Sequence, residues 1–301
     1  MVSRPDPLTM TPAIGLLLAL ACAFVANLAF FYKHRGANAV AKVCVRHPLR
    51  SAFALYSSRW FSIGMAIATA SWGLHVAALA LAPMSVVQVA LAGGVVLIAV
   101  MAERMFGFEV GPRQWTGLVL TAIGLALLGL TLPAMHGAHA QFSQAAMISF
   151  EAGLFGLGGL LIMGPRIGSP VEHHGIMLGA ASGILFGVSD TAIKALTGIT
   201  GAHGLVGLAL SPWLAVALCA SVVAFYASAR GLQDGEAVPV IAVTGAAANI
   251  AGIAGGIIVF GDPMAAGTLG VTVQALAFVL VVVASALMPA PLRAARVAAS
   301  A

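Results

Sequence analysis

The stretch GIMLGAASGILFGVSDTAIKALTG, residues 175–198, decides the architecture. It is long enough to cross a bilayer, which takes about 20 apolar residues in a helix. Glycines at 175, 179, 183 and 187 recur every fourth position. That spacing lays Gly175, Gly179, Gly183 and Gly187 along one stripe, where a second helix can approach closely. Asp190 and Lys194 follow one turn apart. Charges inside an apolar segment cost about 2.5–3.5 kcal/mol each at a helix centre, so they are retained where they face a partner or a cavity. The i, i+4 spacing predicts that carboxylate and ammonium meet on one face, as a gate that opens in one state or as a static pair.

The rest of the chain has the same character. Its 301 residues are 61% apolar and 8% charged, with a mean hydropathy of +1.05. Soluble domains carry about a quarter charged residues, so this composition cannot cover a water-facing surface. Nine windows read as membrane spans, at roughly 12–32, 60–82, 84–104, 114–133, 143–164, 174–197, 209–230, 237–260 and 266–288. The first, followed by Lys33, His34 and Arg35, reads as a retained helix rather than a signal peptide. The fold class expected is all-α, a polytopic membrane bundle of about nine helices.

Charge gives the orientation. With the N-terminus outside, the cytoplasmic segments hold Lys33, Arg35, Lys42, Arg46, Arg50, Arg59, Arg104, Arg113, Arg166, Arg230, Arg293 and Arg296, and the outer segments hold Arg4. This asymmetry follows the positive-inside rule and predicts an inner (plasma) membrane protein with a cytoplasmic C-terminus. The pI near 9.6 therefore reflects topology and contact with anionic lipid, not a nucleic-acid partner. Cys22, Cys44 and Cys219 lack metal-ligand spacing and read as small apolar fillers.

Two portions of the chain look alike. Residues 15–36, GLLLALACAFVANLAFFYKHRG, match the layout of residues 175–198. Residues 80–105 and 235–264 each have a proline opening a helix (Pro83, Pro239) and an acid past its end (Glu103, Asp262). Span 6 follows span 1 by five helices, so the copies insert in opposite directions. The chain thus divides into residues 1–164 (spans 1–5) and 165–301 (spans 6–9) as inverted repeats, an arrangement that places substrate between the halves near the midplane.

Residues 82–107 (APMSVVQVALAGGVVLIAVMAERMFG), 114–129 (QWTGLVLTAIGLALLG), 186–198 (FGVSDTAIKALTG) and 237–264 (AVPVIAVTGAAANIAGIAGGIIVFGDPM) resemble the drug/metabolite transporter superfamily, in particular its EamA-like proteins. The lysine at 194 matches that pattern. The resemblance implies a helical bundle with a central cavity, working by alternating access on a small metabolite or amphipathic solute. Nine spans with a basic loop after the first, and residues 71–85 (SWGLHVAALALAPMS), are also similar to NIPA-type magnesium transporters. This chain departs from that group in having few acidic residues near the membrane. A non-transporting membrane scaffold is the third reading.

The cavity lining expected is His75, Gln88, Glu151, Asp190, Lys194 and Asn249, with Trp72 as an aromatic wall and Thr244 beside Asn249. Glu151 stands near the middle of span 5 without a local cation, as a proton carrier or a neutral interhelical hydrogen bond. Asn27 and Tyr226 read as interhelical glue taken singly, and as further cavity lining taken together with the others. Gly252 and Gly256 repeat the small-residue spacing on span 8. His136 and His139 make too sparse a set for a metal. No Ser/His/Asp order, HExxH or phosphate loop is present, so neither an enzyme nor a cofactor or resident metal is expected. The partners expected are the lipid bilayer and a small-molecule or ion substrate.

Overall fold

The computed structural model describes residues 7–44, 46–82, 84–106, 111–131, 141–262, 265 and 267–286. Arg4, Pro83, His136, His139, Arg293 and Arg296 lie outside them. The described chain is helical throughout: α1 (Pro7–Ala37), α2 (Pro48–Tyr56), α3 (Arg59–Leu81), α4 (Met84–Gly93), α5 (Val95–Phe106), α6 (Pro112–Thr131), α7 (Gln144–Ile162), α8 (His174–Leu210), α9 (Pro212–Asp234), α10 (Ala237–Ile258) and α11 (Gly267–Ala286). Two short 3₁₀ turns, Gly164–Ile167 and Val171–His173, lead from α7 into α8. Among the described residues, six helices are long and apolar enough to cross a membrane: α1, α3, α7, α8, α9 and α10. The chain is a multi-pass helical membrane protein.

Local chemistry sets several boundaries. Ser143 starts α7 by accepting a hydrogen bond from Ala146 N at 3.4 Å. Ser211 does the same for α9 through Trp213 N, with Pro212 in the first turn, where its missing N–H costs nothing. Two expected spans differ from their windows. The third is not continuous, because α4 and α5, 10 and 12 residues long, meet at Gly94. There Gly94 N bonds Leu91 O and Leu97 N bonds Gly94 O, i to i−3 pairings, and Asn27 Nδ2 of α1 donates to Gly94 O at 2.9 Å. The sixth runs on past 197 to Leu210, kinked at Gly204, whose φ of 66° suits glycine.

The packing fixes relative directions. Along α1 and α3, Gly15 meets Ala82, Cys22 meets Ser71 and Gly36 meets Phe61, so these helices are antiparallel. Along α8 and α9, Gly175 meets Gly235, Ser182 Oγ donates to Ala224 O at 3.0 Å and the Ser189 and Ser221 hydroxyls bond at 2.8 Å, again antiparallel. The C-terminal end of α1 lies by the C-terminal end of α9, where Asn38 Nδ2 donates to Leu232 O and Gln233 Nε2 to Ala37 O. The N-terminal end of α8 lies there too, through Gly175 and Gly235. Helices α1 and α8 therefore run in opposite directions. Helix α4 packs on α10, and α6 on α11.

Gly179, Gly183 and Gly187 face α10, which runs parallel to α8. A Cβ at Gly179 would lie 3.1 Å from Val240 O, while one at Gly183 would collide with Thr244 O and one at Gly187 with Ala251 Cβ. The approach lets Thr244 Oγ1 donate to Gly179 O at 3.0 Å. Between membrane helices there is no hydrophobic drive, so such backbone contact and hydrogen bonding carry the association. Gly252 meets a side chain instead, that of Gln88 on α4. Gly256 is buried and its carbonyl accepts from Asp262 N at 2.9 Å.

The end that gathers Ala37, Phe61 and Asp234 is polar and aromatic. Asp234 pairs with Lys42 at 2.8 Å and with Arg230, and Arg230 Nη1 donates to Val43 O. Tyr32 stacks on Trp60, Arg35 lies over the same indole at 4.1 Å, and Tyr226 Oη donates to Pro48 O at 2.9 Å. Part of the basic loop thus folds onto α9 rather than serving lipid contact alone.

Gly183→Val is expected to destabilise the bundle by about 1–3 kcal/mol, because the added atoms displace the α10 backbone. Gly245→Ala on α10, where an added Cβ meets open space, is expected to leave stability unchanged. Thermal unfolding of the two detergent-purified variants checks the contrast.

Candidate functional site

Asp190 and Lys194 are held on the face of α8 that meets α3. Asp190 Oδ1 lies 2.9 Å from His75 Nε2 on α3, and Asp190 Oδ2 accepts a hydrogen bond from Gln88 Nε2 on α4 at 3.0 Å. One turn on, Lys194 Nζ donates to Leu79 O at 2.6 Å and to Ala82 O at 3.0 Å. These carbonyls close α3, where the last turn has no intrahelical donors left and carries the negative end of the helix dipole. The i, i+4 partnership of Asp190 with Lys194 does not form. Each group instead finds a partner on α3 or α4, and an ammonium between two carbonyls is satisfied without the neighbouring carboxylate. Lys194 is 4% exposed, so it is enclosed by the protein.

His75 and Gln88 are also buried, at 6% and 0% exposure. A Cβ at Gly252 would stand 2.5 Å from Gln88 Cδ, so the glycine makes room for the amide to reach Asp190. Cys22 and Ser71 form a second buried knot between α1 and α3, Sγ to Oγ at 3.2 Å, one turn from His75. Cys22 is thus a hydrogen-bonding residue, not a mere filler. Asp262, just beyond α10, acts electrostatically on Lys194 and is the charge neighbour that sequence spacing had assigned to Asp190.

Glu151 and Asn249 stand apart. Glu151 is buried on α7, and its Oε1 has no hydrogen-bond partner among the described residues. Asn249 is buried on α10, one turn before Gly252. No hydrogen bond joins either to Asp190 among the described residues. The six expected lining residues therefore divide into His75, Gln88 and Asp190 in contact, Lys194 one turn away on the α3 carbonyls, and Glu151 and Asn249 apart.

A cleft of about 840 Å³ opens between α3, α8 and α9. Thr69, Trp72 and Val76 of α3, Ile193 of α8, and Leu218 and Phe225 of α9 are among its walls. None of the six residues lines it. Helix periodicity explains why: 69, 72 and 76 lie on one face of α3, while 71, 75 and 79 turn toward α1 and α8. The polar line sits behind the floor of an apolar cleft. Trp72 is 56% exposed and borders this apolar cleft rather than the polar residues it was expected to wall.

Among the described residues, no three His, Cys, Asp or Glu side chains are grouped as a metal site. The "Probable magnesium transporter NIPA9" of Arabidopsis thaliana is 22% identical to this chain over 231 residues, covering 71% of the chain and 64% of that protein. The chain thus spans less than two thirds of that relative's length. No family model matches the chain, and no solved structure matches it.

Lys194→Met is expected to cost about 1–3 kcal/mol by leaving the carbonyls of Leu79 and Ala82 unsatisfied. In double-mutant cycles, His75→Phe with Asp190→Asn should show coupling of roughly 0.5–3 kcal/mol. Asp190→Asn with Lys194→Met should couple by less than about 0.5 kcal/mol. Equilibrium unfolding in mixed micelles measures both, and a larger second coupling restores the direct pair.

Proposed function

We propose that this protein is a secondary carrier that moves a small metabolite or amphipathic solute across the inner membrane by alternating access. In this reading residues 1–164 and 165–301 are inverted repeats, nine spans in all, with the N-terminus outside and the C-terminus cytoplasmic. The opposite directions of α1 and α8 support the inversion. The clustering of Lys42, Arg230 and the Arg35–Trp60 pair at one end supports the orientation. The resemblance to EamA-like drug/metabolite transporters points the same way.

The observation that carries the reading is the chemistry of the seam between the halves. His75, Gln88 and the carbonyls of Leu79 and Ala82 come from one half, and Asp190 and Lys194 from the other. Buried polar links of this kind have to be re-paired, not merely broken, when two bodies rock, so they give the seam discrete arrangements. An apolar cleft directly in front of the seam suits a solute with an apolar body.

A magnesium carrier is the second reading, favoured by the name of the Arabidopsis thaliana relative. Magnesium takes an octahedral oxygen shell and keeps several waters. Here both Asp190 oxygens are engaged by His75 and Gln88, and Glu151 lies outside that cluster, which places this reading second.

Comparing metabolite uptake and efflux in a deletion strain and its complement tests the proposal. Asp190→Asn, present in the membrane at wild-type amount, is expected to lower flux at least about tenfold, ~1.4 kcal/mol on a barrier. No difference for any solute sinks the carrier reading. Growth rescue of a magnesium-uptake mutant reverses the order of the two.

A further inference from the structure

The cleft's lining is apolar along its length and carries one formal charge. Among the described residues that border it, Lys33 is the single titratable one. It enters from the last turns of α1, beside Gly64 of α3, and its ammonium lies 3.8 Å from the centroid of the Phe30 ring. Among the described residues no carboxylate pairs with it, in contrast to Lys42 and Arg230, which share Asp234. The cation is therefore placed at one end of an apolar trough without an acidic partner.

The dimensions narrow the occupant. On α3 the lining runs from Phe61 to Ala80, about 28 Å at 1.5 Å per residue, close to the ~30 Å hydrocarbon thickness. A space of about 840 Å³ lies along that length. One extended hydrocarbon chain fits within it. Of the hydroxyls along the middle, Ser189 and Ser221 bond each other and Thr69 Oγ1 donates to Met65 O in its own helix, so the middle offers little to a polar body.

We propose that the cleft binds a single-chain amphipathic anion, a long-chain carboxylate, with its head at Lys33 and its chain running past Met65, Trp72 and Ile193. This rests on the carrier reading above and names the substrate class for it.

The test uses the full chain in phosphatidylcholine nanodiscs, with Trp60, Trp115 and Trp213 replaced by Phe so that Trp72 alone fluoresces. The probe is stearic acid carrying a nitroxide at mid-chain. Saturable quenching of Trp72 is expected, reversed by palmitic acid and not by hexadecanol, with half-saturation about tenfold weaker in Lys33→Met, a change of ~1.4 kcal/mol. Lys33→Arg should keep the binding, and Ala68→Phe, which fills the trough, should abolish it while the size-exclusion profile stays unchanged. Equal reversal by hexadecanol, reversal by phosphatidylglycerol but not palmitate, or quenching that never saturates would each overturn the proposal. Because the readout is binding, the two ideas can fail separately. Saturable palmitate binding with no flux of any solute sinks the carrier reading alone. Flux that persists in Lys33→Met and Ala68→Phe, with no saturable binding, sinks the site alone.

Discussion

An ammonium group in hydrocarbon must be solvated by the protein, and at Lys194 the solvation comes from the end of another helix. The last carbonyls of α3 need donors as much as the lysine needs acceptors, because Leu79, Ala82 and Lys194 are all buried within the protein. One contact, Lys194 Nζ to Leu79 O and Ala82 O, satisfies both. It also sets the register of α8 against α3. Once that register is fixed, Asp190 arrives one turn away, opposite His75 and Gln88, and the remaining face of each helix is left to border the cleft. The glycine stripe acts from the opposite side, holding α8 against α10 closely enough for Thr244 to reach Gly179 O.

Much of this was readable in the chain. Hydropathy windows and Gly/Pro punctuation place the membrane helices, since a span is a matter of length and apolarity. The residues of the seam were legible one by one, because a charged or amide side chain inside an apolar window stands out from its background, but Glu151 and Asn249 stood out equally and lie apart. The pairing of the seam residues was not legible. The i, i+4 rule states which groups on one helix are able to meet, and it says nothing of competitors that folding brings in. His75 and Gln88 are more than 100 positions from Asp190 along the chain, and the carbonyls that take Lys194 carry no mark in the sequence at all. Asp262 was visible as an acid past the end of α10, yet nothing local tied it to Lys194.

The break at Gly94 and the run of α8 to Leu210 were hidden for a different reason. In membrane helices glycine is common, so a Gly-Gly pair within VALAGGVVLIAV does not by itself signal an interruption. What marks it is tertiary: Asn27 of α1 adds a second donor to Gly94 O, beside Leu97 N. Asn27 was recognisable as interhelical glue, but its target lies in the backbone. Sequence analysis sees side chains and is blind to which carbonyls are left over, and in a membrane that remainder has to be bonded somewhere.

The same geometry explains why the polar seam and the apolar cleft belong together. On α3 the faces that carry Ser71, His75 and Leu79 and those that carry Thr69, Trp72 and Val76 are parts of one rigid cylinder, and on α8 the same holds for Asp190 and Ile193. A rotation of α8 large enough to part Asp190 from His75 necessarily moves Ile193 relative to Trp72 and Val76, so the seam cannot open without reshaping the cleft. Conversely, a chain lying between Val76 and Ile193 bears directly on the two helices whose contact holds both buried charges. A ligand shifts a conformational equilibrium only through contacts that differ between states. On the carrier reading proposed above, those contacts lie one helix face away from the groups whose pairing distinguishes the states, which is coupling of the shortest physical kind.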